Sequence, residues 1–458
     1  MKLEELKNSH LHFIGIGGSG MSGLARISIA LGIPTSGSDA KNSSALESLK
    51  TLGAQTFIGH SSSQIKDGQV VVVSSAIGEN NPELVAAKKL NAVILTRAQL
   101  LAIFMQGQKS VAVAGTHGKT TTTSALTVAL QSMGLNPSFA IGGTINRGGT
   151  NAHLGSGEYF IAEADESDGS FLEYKPFGAI ITNIELDHVD NFPNIDAIRK
   201  LFLEFINSIQ KGGFLILCVD SPEVKGLLNK IERKDLQIIQ YGESSDQLTF
   251  SNLSLQKSGS FSRVIYKGKV LGEMELSIPG EHNVLNALAV VGAALALNLS
   301  SSEVIAGVKN FTGARRRFEI RGTAKGVTVI DDYGHHPTEI VATLKAARTF
   351  VGTGRVIVIF QPHRYSRTKA FLNEFSEALK FADKSYILEI YSAGEDPIPG
   401  VSSELIARGM ENGIFNPSMI EVVEEVVKEI KPGDLVITLG AGDVNALVPV
   451  ILESLNAN

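Results

Sequence analysis

The sequence predicts an α/β protein with about three domains and mostly parallel sheets. Its 458 residues correspond to three domains at roughly 150 residues each. Hydrophobic residues make up 43% of the chain, which is enough to form several cores. Short apolar runs alternate with stretches of helical period almost throughout, and this alternation is typical of parallel sheets flanked by helices.

The predicted strands are short apolar runs, and the predicted helices show a period near 3.6 residues. Strands are predicted at residues 12–16, 70–73, 111–114, 160–162, 179–182, 214–219, 327–330, 355–360, 384–390 and 435–439. Helices are predicted at 98–106, 283–297, 300–311 and 368–382, the last with Phe371, Leu372, Phe375 and Leu379 on one face. The turn-rich segment 242–262 predicts antiparallel strands.

Domain boundaries are predicted where a new strand–helix series begins. A strand followed by glycines starts at Lys109, after the helical stretch 98–106, so the first domain is predicted to cover residues 1–96. The cationic segment 313–322, GARRRFEIRG, precedes another series. The second domain is therefore predicted at 97–312 and the third at 313–458.

Charge and composition exclude several classes of protein. Lys and Arg total 41 against 47 Asp and Glu, a net charge of −6, so no overall basic surface for nucleic acid is expected. No apolar run reaches the roughly 18 residues of a membrane helix, and the first residues lack the apolar core of a signal peptide. The single cysteine, Cys218, fits a reducing cytosol. We therefore expect a cytoplasmic protein that binds neither nucleic acid nor membranes.

A first glycine loop follows the first predicted strand and precedes a helix. It consists of Gly15, Ile16, Gly17, Gly18, Ser19 and Gly20. It satisfies G-x-G-x-x-G, and Asp39 follows at the distance of a dinucleotide fingerprint, which leaves an NAD-dependent oxidoreductase open. Amides at a helix N-terminus would bind any diphosphate, however. Glycines that only allow close strand–helix packing are the other interpretation.

A second glycine loop follows the apolar strand VAVA. It consists of Gly115, Thr116, His117, Gly118, Lys119, Thr120 and Thr121. Its strand–loop–helix context predicts a phosphate-binding P-loop, in which the lysine reaches the β- and γ-phosphates and a hydroxyl contributes to Mg²⁺ binding. The first glycine of the usual spacing is replaced by Val113.

Polar clusters follow two further predicted strands, at 163–168 and 182–188. Carboxyl ends of parallel strands line the ligand crevice, so both clusters should lie on the side of the P-loop. Glu163 offers oxygen ligands for a divalent cation, and His188 suits a second metal position. Alternatively, some of these acids have no functional role and are simply solvated at the ends of loops.

Asn283 and His282 lie at the start of a predicted helix. Their side chains would either cap this helix or bind an adenine edge.

The last predicted domain has polar clusters at 331–337 and 361–368, again after strands. Aspartates, histidines and two arginines meeting at one edge of a sheet predict a site for a small carboxylated molecule, because arginine binds carboxylates through two parallel hydrogen bonds.

Together these motifs resemble the Mur ligases of peptidoglycan synthesis along essentially the whole chain. They are GIGGSGMSGLA, AGTHGKTTT, IAEADESDGSF, TNIELDHVD, GEHNVLNALA, RRRFE, DDYGHHPTEI, FQPHRYSRT and LGAGDV. The resemblance implies an N-terminal Rossmann-like UDP-binding domain, a central P-loop ATPase domain and a C-terminal Rossmann-like domain. It accounts for Val113, since the family uses GTxGKT.

The resemblance also implies roles for individual residues. ATP would be bound by the P-loop and by His282, Asn283, Asn286, Arg317 and Asp332, although Asp331 could replace Asp332. Magnesium would lie near Thr120, Glu163 and His188, and the catalytic set would be Lys119, Glu163, His188, Arg317 and Asp332. The UDP-sugar would meet residues 15–20 and Met21, with Asp39, His60 and Ser75 as further candidates. The amino acid would meet Tyr333, His335, Arg364 and Arg367. Phe202 and Leu203 occupy the positions of a carbamylated lysine found in other family members, so none is predicted.

The implied activity is ATP-dependent joining of L-alanine to the lactyl carboxylate of UDP-N-acetylmuramate through an acyl phosphate, by a monomer or homodimer. Glycine and serine should be used weakly, because a methyl group contributes only about 1–3 kcal/mol of selection. A murein-recycling ligase that adds a tripeptide to the same sugar is the nearest alternative, and the intact DDYGHH favours free alanine. Two alternatives from other classes of protein are an NAD-dependent oxidoreductase and a nucleotide-regulated binding protein without ligase chemistry.

Overall fold

The computed structural model describes residues 1–146 and 149–457. Arg147 and Gly148 of the predicted second domain, and Asn458 at the end of the third, lie outside the described residues. The chain divides into two compact units, which we describe separately. The first comprises Met1–Ile184, Arg199–Tyr241 and Ala289–Gly307, and the second comprises Glu185–Ile198, Gly242–Leu288 and Val308–Asn458. The predicted domain boundaries remain predictions.

Strands and helices alternate along most of the chain. The strands are β1 (His10–Ile14), β2 (Thr35–Asp39), β3 (Gln55–Ile58), β4 (Gln69–Val73), β5 (Val93–Thr96), β6 (Lys109–Ala114), β7 (Ser138–Ala140), β8 (Ala152–His153), β9 (Tyr159–Glu163), β10 (Gly178–Ile181), β11 (Phe214–Cys218), β12 (Gln237–Tyr241), β13 (Leu248–Gln256), β14 (Gly259–Tyr266), β15 (Lys269–Leu276), β16 (Glu319–Ala324), β17 (Val327–Asp332), β18 (Val356–Phe360), β19 (Lys384–Ile387), β20 (Gly413–Phe415) and β21 (Leu435–Leu439). The helices are α1 (Leu3–Lys7), α2 (Ser19–Ala30), α3 (Ser44–Thr51), α4 (Pro82–Lys89), α5 (Arg97–Phe104), α6 (Lys119–Ser132), α7 (Ile195–Ser208), α8 (Pro222–Leu228), α9 (Glu281–Ala296), α10 (Ser301–Val308), α11 (Pro337–Val351), α12 (Tyr365–Ala370), α13 (Leu372–Leu379), α14 (Glu404–Arg408), α15 (Met419–Glu429) and α16 (Leu447–Ala457).

The first unit contains a parallel sheet of order β3-β2-β1-β4-β5. The chain moves from β1 to β2 on one side and later to β4 on the other, so the strand order reverses at β1. Ligand crevices of parallel sheets form at such reversal points, outside the carboxyl ends of the strands. The first glycine loop, between β1 and α2, lies at that point.

The first unit also contains the sheet that carries the P-loop. Its strands in this unit lie in the order β12-β11-β10-β6-β9-β7-β8, and all pair in parallel except β7 with β8. β9 and β10 flank β6, with Glu163 opposite Val113 and Ile181 opposite Ala114. The segments that follow β6, β9 and β10 therefore leave the sheet at one edge, as the sequence predicted.

The second unit contains an antiparallel meander and a mostly parallel sheet. The meander is β13-β14-β15, which confirms the antiparallel strands predicted for the turn-rich segment. The other sheet has the order β16-β17-β21-β18-β19-β20, antiparallel only between β16 and β17. Buried apolar side chains cover both of its faces. β21 lies between β17 and β18, so the two polar clusters predicted for this sheet leave strands that are not adjacent.

The predicted fold class, α/β with mostly parallel sheets, is confirmed, and each predicted strand has an observed counterpart with ends shifted by a few residues. The predicted helix 368–382 is wrong in its middle. The helix breaks at Phe371, whose φ of −123° and ψ of 26° are not helical. The Phe371 ring instead packs edge-on against His336, with 4.8 Å between ring centroids.

Within residues 1–146 and 149–457, no helix combines the length and the apolar character needed to cross a bilayer.

Candidate functional site

The P-loop turn is shaped by a close approach between Gly115 and the segment after β10. Gly115 has φ +131°, a conformation that side-chain-bearing residues rarely adopt, and a Cβ atom there would overlap the hydroxyl of Thr182. Gly118, with φ +80°, ends the turn at the start of α6. The loop backbone therefore requires glycine at both positions.

Lys119, the first residue of α6, points back into this turn. Its Nζ donates to the carbonyl oxygens of Gly115 at 2.7 Å and Thr116 at 3.1 Å, and it lies 2.9 Å from a carboxylate oxygen of Glu166. Burial favours the neutral amine, but Glu166 and Asp165 raise the Lys119 pKa above its usual value, so the amine is protonated. Burial raises the pKa of Glu166 to about 7, although Lys119 opposes the rise. The loop thus presents a fixed positive charge.

Thr120 and Glu163 form an oxygen-rich pair beside this lysine. The Thr120 hydroxyl donates to Glu163 Oε1 at 3.0 Å, and the Gly142 amide donates to Glu163 Oε2 at 2.8 Å. A carboxylate held in this way next to a hydroxyl suits a hard cation such as Mg²⁺, which prefers oxygen ligands. His188, the third predicted metal ligand, belongs to the second unit, has φ +50°, and its amide donates to the carboxylate of Asp187 at 2.7 Å.

Thr182 and Asn183, which follow β10, hold the P-loop backbone, although the sequence predicted no role for either of them. Asn183 Oδ1 accepts from the His117 amide at 2.8 Å, and Asn183 Nδ2 donates to the His117 carbonyl at 3.0 Å. The Thr182 hydroxyl donates to the same carbonyl at 2.6 Å. Polar residues after a strand are common. The sequence would have indicated that Thr182 and Asn183 hold the P-loop only if the pairing of β10 with β6 had been known.

Replacing Asn183 with alanine should raise the KM for the nucleotide about tenfold or more. The change removes two hydrogen bonds that fix the loop, each contributing about 0.5–1.5 kcal/mol. Steady-state kinetics over a range of nucleotide concentrations would measure the effect. Asn412→Ala, which removes amide contacts of the second unit to the carbonyls of Leu379 and Ala382, is the control. An unchanged KM in Asn183→Ala would contradict the positioning role.

The first glycine loop is held by Asp39. Asp39 Oδ2 accepts from the Gly17 amide at 2.9 Å, and the Gly18 amide donates to the Gly15 carbonyl. Asp39 therefore fixes the shape of the loop from the end of β2. Met21 is buried in α2, whereas Ser75, after β4, is exposed.

His60, another predicted UDP-sugar residue, belongs to a hydrogen-bonded network around a buried carboxylate. Glu83, which is fully buried in α4, accepts from His60 Nδ1 at 2.8 Å and lies 3.2 Å from His12 Nε2. The Ser38 hydroxyl donates to the same carboxylate at 2.5 Å. Burial favours the neutral carboxyl, but these hydrogen bonds outweigh it and lower the Glu83 pKa. The network links β1, β2 and α4.

Replacing Glu83 with glutamine should lower the unfolding midpoint of the protein. The lowered pKa means that ionised Glu83 stabilises the fold above the pKa of an unfolded glutamate, about 4.3, and this contribution is lost as pH falls through the folded pKa. Urea unfolding at neutral pH should show a loss of about 1–3 kcal/mol, shrinking at acidic pH. Glu47→Gln, at an exposed position, is the control. A loss that is independent of pH would contradict the role of the ionised carboxylate.

The predicted adenine residues lie at the start of α9, in the second unit. Asn283 Nδ2 donates to the Pro279 carbonyl at 2.7 Å, and Asn286 Nδ2 lies 3.3 Å from Asn283 Oδ1. Both amides are buried. Burial, together with Arg317, lowers the pKa of His282 to about 4, so its ring is neutral. A capping side chain accepts from a backbone N–H, whereas Asn283 donates to a carbonyl oxygen here. Helix capping and a contact with adenine therefore both stay predictions.

Both aspartates of DDYGHH form hydrogen bonds or ion pairs within the second unit. Asp332 accepts from the amides of Phe318 at 2.7 Å and Gly334 at 2.8 Å, so it shapes the loop after β17. Asp331 accepts from Thr438 and lies 3.2 Å from Arg316 Nε. Burial raises the pKa of both carboxyls.

Arg317 lies close to the same loop. Its Nη1 is 3.3 Å from Glu339 Oε1, and its guanidinium lies 5.2 Å from the centroid of the Tyr333 ring.

The side chains predicted to bind the amino acid gather around His363, for which the sequence predicted no role. The His335 ring lies 5.3 Å from the Tyr333 ring and 5.9 Å from the His363 ring. Arg367 Nη1 lies 3.3 Å from His363 Nδ1, and the Tyr391 ring stacks on His363 at 5.6 Å. The structure thus brings together three of the four predicted side chains.

Both predicted carboxylate-binding arginines already have acidic partners in the second unit. Arg367 donates from Nε at 3.0 Å and Nη2 at 2.8 Å to Asp187 Oδ1, and both side chains are buried. Arg364 Nη1 lies 2.6 Å from Asp190 Oδ2 and 3.5 Å from Glu395 Oε1. Arg364 is the more exposed of the two arginines, at 35%.

The fold and the site of the first unit define a P-loop nucleotide-binding protein: a glycine turn, a buried lysine and carboxylates lie at the carboxyl edge of a parallel sheet. Residues 10–109 match the description "Mur ligase family, catalytic domain", 113–294 match "Mur ligase middle domain", and 316–442 match "Mur ligase, glutamate ligase domain". The chain belongs to the Mur ligase family.

Two relatives that match along nearly the whole chain share one name. The chain is 44% identical to a UDP-N-acetylmuramate–L-alanine ligase of Acidothermus cellulolyticus, over 99% of this chain and 96% of that protein. It is 45% identical to a ligase of the same name from Pelotomaculum thermopropionicum, over 96% of each. The crystal structure of a UDP-N-acetylmuramate–alanine ligase of Thermotoga maritima matches with a TM-score of 0.82 and 27% identity, over 98% of this chain and 99% of that one. A murein peptide ligase of Psychrobacter arcticus shares the fold, with a TM-score of 0.72 and 24% identity over 98% and 99% of the two chains.

Proposed function

We propose that this chain joins L-alanine to the lactyl carboxylate of UDP-N-acetylmuramate, with conversion of ATP to ADP and phosphate, as a step of peptidoglycan precursor synthesis in the cytoplasm. The observation that carries the proposal is the identity of 44–45% with ligases of that name along nearly the whole chain. The intact DDYGHH, with His335 beside His363 and Arg367, supports free alanine as the acceptor.

The first step transfers the γ-phosphoryl group of ATP to the lactyl carboxylate, giving an acyl phosphate. A carboxylate needs this activation because oxide is a very poor leaving group. The protonated Lys119 amine would stabilise negative charge on the transferring group. Thr120 and Glu163 would hold Mg²⁺, with His188 near a second ion, and the metal would neutralise charge on the phosphate oxygens.

In the second step the alanine amine attacks the acyl carbon, and the tetrahedral intermediate expels phosphate. Burial lowers the pKa of His335 to about 3, and burial together with Arg367 lowers that of His363 to about 4. Both rings are therefore neutral and would not repel the amino group of alanine. Arg364 and Arg367 would offer the positive charge that attracts its carboxylate.

The deciding experiment measures phosphate release by purified protein with ATP, Mg²⁺ and UDP-N-acetylmuramate, with the product mass determined. L-alanine and the tripeptide L-Ala-γ-D-Glu-diaminopimelate are supplied in separate reactions. Release with alanine alone, and a product heavier by one alanine residue, is expected. Release with the tripeptide alone would assign the protein to murein recycling, and no release with either would overturn the ligase proposal.

A further inference from the structure

The loop between β18 and α12 holds Arg364 in a strained backbone conformation. Arg364 immediately precedes α12 and has φ +71° and ψ 140°. For residues other than glycine, such a conformation costs on the order of 1–3 kcal/mol and persists only where surrounding contacts enforce it. Because Arg364 is one of the two arginines proposed to attract the carboxylate of alanine, the contacts that hold this loop also set the position of that charge.

The YSAGE segment, residues 391–395, supplies the backbone contacts to this loop. The Tyr391 amide donates to the Pro362 carbonyl at 2.8 Å, and the Arg364 amide donates to the Tyr391 carbonyl at 2.8 Å. Between these two hydrogen bonds, the Tyr391 ring stacks on the ring of His363, with 5.6 Å between centroids. The segment therefore holds the loop on both sides of His363.

Glu395, the last residue of the YSAGE segment, binds the first turn of α12. Its Oε2 accepts from the Ser366 amide at 3.0 Å, and its Oε1 accepts from the Ser366 hydroxyl at 2.6 Å. The first amides of a helix have no acceptor within the helix, and the carboxylate supplies one of them. The same Oε1 lies 3.5 Å from Arg364 Nη1. Glu395 thus contacts both the helical turn and the arginine that precedes it.

We propose that Glu395 is a positioning residue for the amino-acid substrate: its hydrogen bonds to Ser366 hold the turn from which Arg364 projects. The inference rests on the proposed function, since it takes alanine as the molecule whose carboxylate the arginine attracts. The hydrogen bonds carry this role, and the charge does not, because a negative charge beside Arg364 repels a second carboxylate. Asp190 already supplies a negative partner, 2.6 Å from the same Nη1.

The test compares the steady-state kinetics of wild type, Glu395→Ala and Glu395→Gln at varied concentrations of alanine, ATP and UDP-N-acetylmuramate. Glu395→Ala removes both hydrogen bonds to Ser366 and should raise the KM for alanine about tenfold or more, while the other two KM values stay nearly unchanged. Glu395→Gln keeps an oxygen for the Ser366 amide, and its NH₂ group can donate to the hydroxyl. This variant should therefore restore nearly the wild-type KM for alanine.

Hydrogen exchange provides a reading of the loop that does not depend on activity. The Ser366 amide, which donates to Glu395, should exchange faster in Glu395→Ala than in wild type and in Glu395→Gln. The matched control is Glu404→Ala in the same unit. Glu404 forms an exposed ion pair with Arg408 at 2.8 Å, so its loss should change neither the three KM values nor the exchange of the Ser366 amide.

Equal rises in all three KM values of Glu395→Ala, or a wild-type KM for alanine in that variant, would overturn the positioning role. A KM for alanine raised equally in Glu395→Gln and Glu395→Ala would also overturn it, because the charge would then matter and the hydrogen bonds would not. If Glu395→Ala does not fold, Ser366→Ala decides: it removes the hydroxyl contact alone, and an unchanged KM for alanine would overturn the proposal. Failure of the proposed function would appear differently: wild type itself would form no product with alanine, which would overturn the substrate and this inference with it.

Discussion

Replacing Lys119 with alanine is expected to lower kcat about a thousandfold while the protein stays folded. The ammonium group is held in the P-loop turn by two carbonyl oxygens and Glu166. Removing one fixed donor to developing charge typically costs about a hundred- to a thousandfold in rate, and here a full charge is lost as well. Phosphate release with ATP, UDP-N-acetylmuramate and alanine would measure the loss.

The fold should survive this change because Glu166 can take up a proton. Its pKa is about 7 even with Lys119 present, and loss of the lysine charge would raise that pKa further. No buried charge would then remain unpaired. Lys109→Ala, at an exposed position at the start of β6, is the control and should keep full activity. Ligation by Lys119→Ala with nearly normal kcat would refute the P-loop assignment.

Replacing Asp187 with asparagine is expected to lower the free energy of unfolding of its unit by about 3–5 kcal/mol. Asp187 and Arg367 have side chains only 5% and 6% exposed, and the substitution leaves the guanidinium buried without its counter-charge. Urea unfolding at neutral pH would measure the loss. The matched control is Asp190→Asn, whose partner Arg364 is 35% exposed; about 1 kcal/mol or less should be lost there.

The pH dependence provides a second test of this pair. Burial favours neutral Asp187, but Arg367 outweighs it and holds the Asp187 pKa well below its usual value. The stabilisation is therefore complete above the unfolded pKa, about 3.9, and disappears as pH falls towards the folded pKa. The difference between wild type and Asp187→Asn should narrow on acidification. Equal losses in Asp187→Asn and Asp190→Asn would contradict the importance of burial.

Much of the fold could be predicted from the sequence, because apolar strands buried on both faces leave continuous hydrophobic runs. β2 was missed because its sequence, TSGSD, contains no large apolar residue, although four of its five positions are buried. The break at Phe371 was missed because an apolar face continues across it in sequence. At the break, the Phe371 ring packs against His336, the N-cap residue of α11, a contact that the local sequence does not reveal.

The candidate site was predictable where a motif lies on one continuous segment, as for the P-loop. The role of Asn183 depends instead on which segments the sheet brings together. Asn183 matters because β10 pairs with β6. This pairing leaves no trace in residue spacing. Likewise, the ion pair of Arg367 with Asp187 joins segments far apart in the chain.

The contact between Lys119 and Glu166 has a consequence for nucleotide affinity. Two loop carbonyls order the Lys119 amine, and Glu166 lies at ion-pair distance from it. A phosphate group that binds there exchanges one negative partner of the lysine for another, instead of filling an empty positive site. The measured affinity for ATP therefore reports a difference between two ion pairs. Its dependence on salt should accordingly be weaker than the charge of ATP alone would suggest.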